Sequence, residues 1–193
     1  VMDGDDISIP ERLEIQIKYL IDNPDIDLVA SNIIYFTNNK VIGISDVRLY
    51  KFKNINFYLR PIGLPHVTWV AKKEFFNNFQ YKQSLKVSED QELLLRSFNN
   101  FSYFLIKDPL VYVNIPKKNR VKHKLKEVYI LFLARLRFIN NNKLFYYFPI
   151  IIFIYLISSI FYSLGIRTNK ILKNQNDEYQ SLFDEIILNT NKK

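Results

Sequence analysis

An α/β body followed by a basic, apolar helical tail is the architecture that this sequence predicts, and three observations predict it. First, runs rich in β-branched and aromatic residues alternate with apolar residues at helical spacing over the first 116 positions. Second, 48% hydrophobic and 24% charged residues in a chain of 193 describe a polypeptide that buries a core, and 4 Gly with 7 Pro exclude collagenous and low-complexity architectures. Third, the charge is divided: residues 1–116 carry a net −1, whereas residues 117–193 carry a net +9. The chain therefore reads as two regions, 1–116 and 117–193. With no Cys there is no disulfide framework, no Cys-ligated metal and no thiol nucleophile, so any catalysis uses oxygen and nitrogen groups.

Along the first region, Ser8-Ile9-Pro10-Glu11 has the form of a helix start, with Ser8 as N-cap and Pro10 in the first turn. Leu13, Ile17, Leu20 and Ile21 then recur at helical spacing until Asp22-Asn23-Pro24 stops the helix. Ile26 to Phe36 predicts a strand, and Asn38-Asn39 turns it into a second strand at Val41–Ser45. Val67 to Val70 predicts another strand, and Glu89 to Phe98 a helix capped by Ser88. Ser102–Ile106 and Leu110–Val113 read as two short strands on either side of Asp108-Pro109.

In the second region, Leu144 to Ile166 is an uncharged run of 23 residues. As a helix it would be about 34 Å long, against a bilayer core of about 30 Å. Upstream, KKNRVKHKLKEVYILFLARLRFINNNK sets nine Lys/Arg against one Glu, a composition suited to an anionic membrane surface. Tyr146, Tyr147, Tyr155 and Tyr162 interrupt the run and Pro149 lies near its start, so a spanning helix, a helix lying in the interface and a helix buried in a soluble body all remain open. Arg167, Lys170 and Lys173 follow it; the larger upstream excess of positive charge places the first region on the cytoplasmic face. The acidic N-terminus does not have the form of a secretory signal. The long uncharged run beside the basic stretch assigns the basicity to a membrane rather than to nucleic acid.

Two acidic clusters stand at helix starts. Asp3-Gly4-Asp5-Asp6 places three carboxylates within four positions; such oxygen-rich sets hold hard cations such as Mg²⁺ or Mn²⁺, and Gly4 lets backbone approach a ligand. A dipole-facing acidic turn would have the same composition. Ser88-Glu89-Asp90-Gln91-Glu92 puts Glu89 and Asp90 in a first helical turn, where the dipole keeps a carboxylate ionised and able to accept a proton, although capping would also explain them. His66, one of two histidines, precedes a strand and reads either as a ligand or as a structural residue.

The stretch MDGDDISIPERLEIQIKYLIDNPDIDLVAS resembles the central signature of family-two glycosyltransferases with the GT-A fold, in which an Asp-x-Asp motif leads into Ser-x-Pro-x-Arg-Leu and a Pro-Asp-Ile-Asp strand. A second block, HVTWVAKKEFFNNFQYKQSLKVSEDQELLLRS, is similar to the acceptor-side segment of that family, where a Glu-Asp pair heads a helix of pattern Asp-x-x-Leu-x-x-Arg. Together they cover roughly residues 1–115. The resemblance implies the C-terminal portion of a GT-A fold that lacks most of the nucleotide-binding half, since only Val1 and Met2 precede the Asp-x-Asp motif. It also implies a fragment of a longer enzyme or a truncated reading frame.

By the same resemblance Asp3 and Asp5 contact the nucleotide sugar and its divalent metal, Mn²⁺ or Mg²⁺, and Asp6 supports their loop. Asp90 matches the catalytic base with Glu89 beside it, Arg96 serves the diphosphate or the fold, and His66 falls near the acceptor-side strand. The implied activity is metal-dependent, inverting transfer of a sugar from a nucleotide-diphosphate donor to a lipid-linked or surface-glycan acceptor at a membrane. An inactive fragment, or a membrane-bound module that binds acceptor without turnover, is the alternative. The processive Gln-x-x-Arg-Trp signature is missing, which favours addition of single sugars.

Overall fold

A computed structural model describes residues 2, 4–45, 63–85, 87–97, 100–115, 121–141, 147–163, 171–172 and 176–190. Its centre is a pair of long parallel strands, β2 (Leu28–Thr37) and β5 (Tyr103–Asn114). Antiparallel partners extend the sheet on both sides: β1 (Ile7–Ser8) on β5, β3 (Lys40–Ser45) on β2, and β6 (Ile171–Leu172) on β3, in the order β1-β5-β2-β3-β6. A two-residue strand, β4 (Val70–Ala71), pairs with the start of β2. The structure is α/β with a mixed sheet, as the alternation of apolar patterns predicts.

The β2–β3 hairpin forms where the sequence places it. Asn38 and Asn39 have φ of 49° and 58°, the left-handed backbone of the hairpin turn that Asn tolerates better than other non-glycine residues. Alternation along β2 sends Leu28, Ala30, Ile34 and Phe36 to one face of the sheet and Val29 to the other. On the first face Leu28 and Ala30 meet Leu64, Trp69, Phe75 and Leu93–Leu95, and Ile34 and Phe36 meet Tyr112 and Phe183. On the second, Val29 packs with Ile106 and Leu110 under Tyr19 and Leu20.

Several sequence expectations are corrected. Ser8 does not cap a helix, because its backbone is used by the sheet, paired with Val111; helix α1 (Arg12–Asp22) begins at Arg12 with Glu11 before it and no side-chain cap. The strands expected on either side of Asp108-Pro109 are one strand. Its register against β2 slips between Ser31 and Asn32, which expels exposed Lys107 and Asp108 as a bulge, and the Asn32 side-chain amide donates to the Lys107 carbonyl at 2.8 Å. The Val67–Val70 strand is a 3₁₀ turn (His66–Thr68) leading into β4, because Thr68 folds back to its own Pro65 carbonyl at 2.7 Å and to the Ser31 backbone.

Helix α1 is amphipathic in an inverted sense. Leu13 (57% exposed), Ile17 (46%) and Ile21 (72%) face outward, while Arg12 and Gln16 are buried. Two helices follow the turn, α2 (Lys73–Asn78) and α3 (Glu89–Ser97), and both cover the Leu28 side of the sheet. Two more, α4 (Val121–Asn141) and α5 (Phe148–Ser163), pack on each other, with Phe132 stacked on Tyr155 at 4.5 Å between ring centroids. A last helix, α6 (Asn176–Thr190), lies on the Ile34 side of the sheet, with Phe183 fully buried against Phe36 and Tyr112. Burial of such a ring contributes about 1.5–3 kcal/mol.

Candidate active site

The acidic pair at the head of α3 is the centre of the best-defined polar cluster. Glu89 and Asp90 occupy the first turn of the helix and are half-buried. The residue before them, Ser88, has φ 57°. This left-handed backbone differs from the extended backbone usual at an N-cap, while the Ser88 carbonyl accepts the first helical hydrogen bond from Glu92 N–H at 3.1 Å, as the residue before a helix does. Such a conformation costs a non-glycine residue about 1–3 kcal/mol. The Asp90 carboxylate accepts weakly from the Gln91 side chain at 3.4 Å.

Tyr81 and His66 complete the cluster. The Tyr81 hydroxyl lies 2.8 Å from His66 Nε2. His66 in turn packs its ring edge-on against Trp69, which is buried and donates from Nε1 to the Leu64 carbonyl at 3.2 Å. Burial first, and then the negative field of Asp90 and Glu89, push the Tyr81 phenol up to about 12, so its hydroxyl keeps its proton at neutral pH. A proton-bearing phenol therefore meets an imidazole within the negative field of two carboxylates, a set of groups that could orient a substrate hydroxyl and accept its proton.

The segment that carries Tyr81 is clamped to α3 on its C-terminal side. Glu92 is buried and paired with both Lys82 and Arg96; Arg96 also donates to the Gln80 carbonyl at 2.7 Å and lies over the Phe79 ring at 5.7 Å. Burial pushes the Glu92 carboxyl up, but hydrogen bonds and charge from Arg96 and Lys82 outweigh it and hold the group below its ordinary range. The contacts that Arg96 makes here all serve the fold around Tyr81.

The acidic turn lies at the carboxyl end of the parallel strands. Asp6 is buried and accepts from the Asn114 backbone N–H at 3.1 Å, and the exposed Asp5 carboxylate lies 3.5 Å from the Asn114 side-chain nitrogen. Open carboxylate lone pairs at Asp5 suit a hard divalent cation. Asp3, the partner that the sequence assigns to Asp5, lies outside the described residues. Among the described residues no three His, Cys, Asp or Glu gather as a metal site.

A buried polar chain joins α1, which follows the acidic turn, to the turn that bears His66. Arg12 Nε donates to Gln16 Oε1 at 3.0 Å, its Nη2 to the Val67 carbonyl at 2.9 Å, and Gln16 Nε2 to the Thr68 carbonyl at 2.7 Å. Burial lowers the Arg12 guanidinium from its ordinary range. The inner face of α1 is thus shared between this chain, which reaches backbone carbonyls of the His66 turn and of Val29, and the apolar contacts of Tyr19 and Leu20, while Leu13, Ile17 and Ile21 are left outside. Tyr81, Arg12 and Gln16 were missed as site residues by sequence reasoning. Their only sequence signals are an aromatic in the block before Glu89-Asp90 and two polar residues four apart beside an apolar stripe.

No family model matches the chain. It is 29% identical over 130 residues to a Methanocaldococcus jannaschii protein described as an uncharacterized glycosyltransferase, a match that covers 66% of this chain and 45% of that protein. A shorter segment, 43 residues or 22% of the chain, is 54% identical to 6% of the bifunctional glycosyltransferase pgtA of Dictyostelium discoideum. The chain thus spans less than half the length of either relative, and what it is similar to in both cases is named a glycosyltransferase.

Proposed function

We propose that this chain carries the acceptor side of a glycosyltransferase that moves a sugar from a nucleotide-diphosphate donor to a lipid-linked or surface-glycan acceptor with inversion. The observation that supports it most is the gathering of His66, Tyr81, Glu89 and Asp90 at the head of α3, in a chain similar to proteins named for this activity. In this reading Asp90 is the base. It takes the proton of an acceptor hydroxyl as that oxygen bonds to the anomeric carbon, while the bond from that carbon to the diphosphate breaks and its electron pair leaves with the diphosphate. Attack opposite the leaving group inverts the anomeric centre. Glu89 and the Tyr81–His66 pair hold the acceptor hydroxyl in line, which is worth most when the geometry is fixed in advance.

Asp5 with Asp3 would hold a divalent cation, Mn²⁺ or Mg²⁺, whose charge offsets that of the departing diphosphate. Asp6, fastened to Asn114, keeps the turn in place. Arg96 supports the Tyr81 segment in this account.

We place the site at a membrane surface, on its cytoplasmic side. The support is α5, which exposes Phe153 (63%), Leu156 (53%) and Ile160 (59%) next to a strongly basic segment. Among the described residues no helix is long and apolar enough to cross a membrane; in this reading the exposed apolar residues of α5 meet the bilayer.

The test is release of nucleoside diphosphate from a panel of UDP- and GDP-sugars in the presence of Mn²⁺ and a membrane-lipid extract. Asp90→Asn is expected to lower turnover by ~10²–10⁴ with little change in KM, the size of a lost general base. Turnover by the wild-type chain that is indifferent to Asp90→Asn would remove Asp90 from the chemistry. Donor binding without any turnover would favour a module that binds and does not transfer.

A further inference from the structure

The turn that carries His66 has each of its four carbonyls, from Pro65 to Thr68, engaged in a hydrogen bond, and two of the four are engaged from outside it. Within the turn the Pro65 carbonyl accepts from Thr68 N–H at 3.0 Å and from the Thr68 hydroxyl at 2.7 Å, and the His66 carbonyl accepts from Trp69 N–H at 3.1 Å. The other two are reached from α1. Arg12 Nη2 donates to the Val67 carbonyl at 2.9 Å, and Gln16 Nε2 donates to the Thr68 carbonyl at 2.7 Å. Arg12 Nε also donates to Gln16 Oε1 at 3.0 Å, so the two side chains hold each other in the rotamers that reach the turn. Both are buried.

Packing alone does not account for this pair. Leu13 and Ile17, one position further along the same helix, are left exposed while Arg12 and Gln16 take the inner positions. Apolar side chains there would cover the sheet without desolvating a guanidinium, and burial does lower the Arg12 group from its ordinary range. What apolar side chains lack is a donor for the Val67 and Thr68 carbonyls. Those carbonyls flank the residue whose imidazole meets the Tyr81 hydroxyl at 2.8 Å and rests edge-on against Trp69 at 4.7 Å between ring centroids. The imidazole goes where the backbone of the turn aims its Cβ, and a hydrogen bond weakens steeply as distance and angle drift. A local pattern that conflicts with its surroundings, polar in and apolar out, is expected where function constrains a fold.

We propose that Arg12 and Gln16 are positioning residues of the acceptor site: from α1 they fix the turn at 65–68 and so hold the His66 imidazole against the Tyr81 hydroxyl. This rests on the role proposed above for the His66–Tyr81 pair. Neither residue touches the acceptor.

The experiment compares Arg12→Lys, Gln16→Leu and Tyr81→Phe, and each of the first two combined with Tyr81→Phe, in the full chain. It reads the ring signals of His66 by NMR and kcat/KM by release of nucleoside diphosphate. The chain has two histidines, so His66 is read against His123 in the same spectrum. Arg12→Lys keeps the cation but loses the planar fork that reaches Gln16 and Val67 together, and Gln16→Leu keeps the bulk and removes the amide. Each is expected to move the His66 signals in the direction that Tyr81→Phe moves them, to leave those of His123 in place, and to lower kcat/KM about five- to tenfold. Neither should lower it further in the Tyr81→Phe background, where the bond they hold in place is already gone. Losses that add in full to that of Tyr81→Phe would overturn the proposal. Unmoved His66 signals in the folded variants would overturn it whatever the activity, and unfolding of both variants would overturn it by showing that the pair serves the fold. A wild-type chain without turnover, in which the His66 signals still follow Arg12 and Gln16, would remove the glycosyl-transfer reading and support the positioning of His66.

Discussion

Tyr81 is the residue whose chemistry depends most on its neighbours. Its hydroxyl lies against His66 Nε2, and burial first, then the fields of Asp90 and Glu89, push the phenol up to about 12. Tyr81→Phe keeps the ring and removes only the hydroxyl, so it is expected to lower kcat/KM about five- to tenfold, equivalent to roughly 1 kcal/mol for one hydrogen bond, with the fold intact. Steady-state kinetics beside a melting curve would check this; an unchanged kcat/KM would take Tyr81 out of acceptor positioning. At this scale the sequence is half-legible. Glu89 and Asp90 stand out because two adjacent acids at a helix start are visible locally. The His66–Tyr81 contact is invisible there, because it forms only when the 3₁₀ turn, fixed through Thr68 to Ser31, is brought over a segment 15 residues further on.

The polar contacts at the scale of elements decide how helices and turns are oriented. Helix α3 and the segment before it are fastened by Glu92 between Lys82 and Arg96. Because the folded carboxyl lies below its ordinary range, its contribution to stability is present above the unfolded value of about 4.3 and is lost as pH falls through the lower, folded value. Glu92→Gln should therefore melt below wild type at pH 7, and the two curves should converge in the acid range below about pH 4. Melting points that differ equally at all pH values would contradict the clamp. The hairpin at Asn38-Asn39 was readable because turn chemistry is local. The start of α1 was not: Ser8 satisfies a capping pattern, but pairing with Val111 offers its backbone a partner that no local pattern shows. The apolar stripe at Leu13, Ile17 and Ile21 signals a helix correctly yet faces outward, since buried Arg12 and Gln16 take the inner face to reach Val67 and Thr68.

The α/β body is completed, on the scale of the whole molecule, from the far end of the sequence. Helix α6 inserts Phe183 against Phe36 and Tyr112, accepts from the Tyr112 hydroxyl at the Tyr179 carbonyl (3.0 Å), and meets the hairpin through Gln180, which accepts from Val41 N–H at 2.7 Å. Phe183→Ala is expected to cost about 3–5 kcal/mol, the cost of emptying a fully buried aromatic position, read as a lowered denaturant midpoint. A change within 1 kcal/mol would mean that α6 contributes little to the body. This closure was illegible in the sequence, because 67 residues separate Tyr112 from Tyr179 and 139 separate Val41 from Gln180, and the net +9 of the second region draws attention to a membrane instead. The α/β class itself was legible from the strand and helix periodicities alone. The central claim, that the acidic turn and the α3 carboxylates belong to one nucleotide-sugar site, is tested most directly by calorimetric titration of the full chain with UDP and GDP, with and without Mn²⁺, against Asp5→Ala. The account predicts binding that requires the metal and is abolished by Asp5→Ala; binding that is indifferent to both metal and substitution, or no binding by the folded chain, would contradict it.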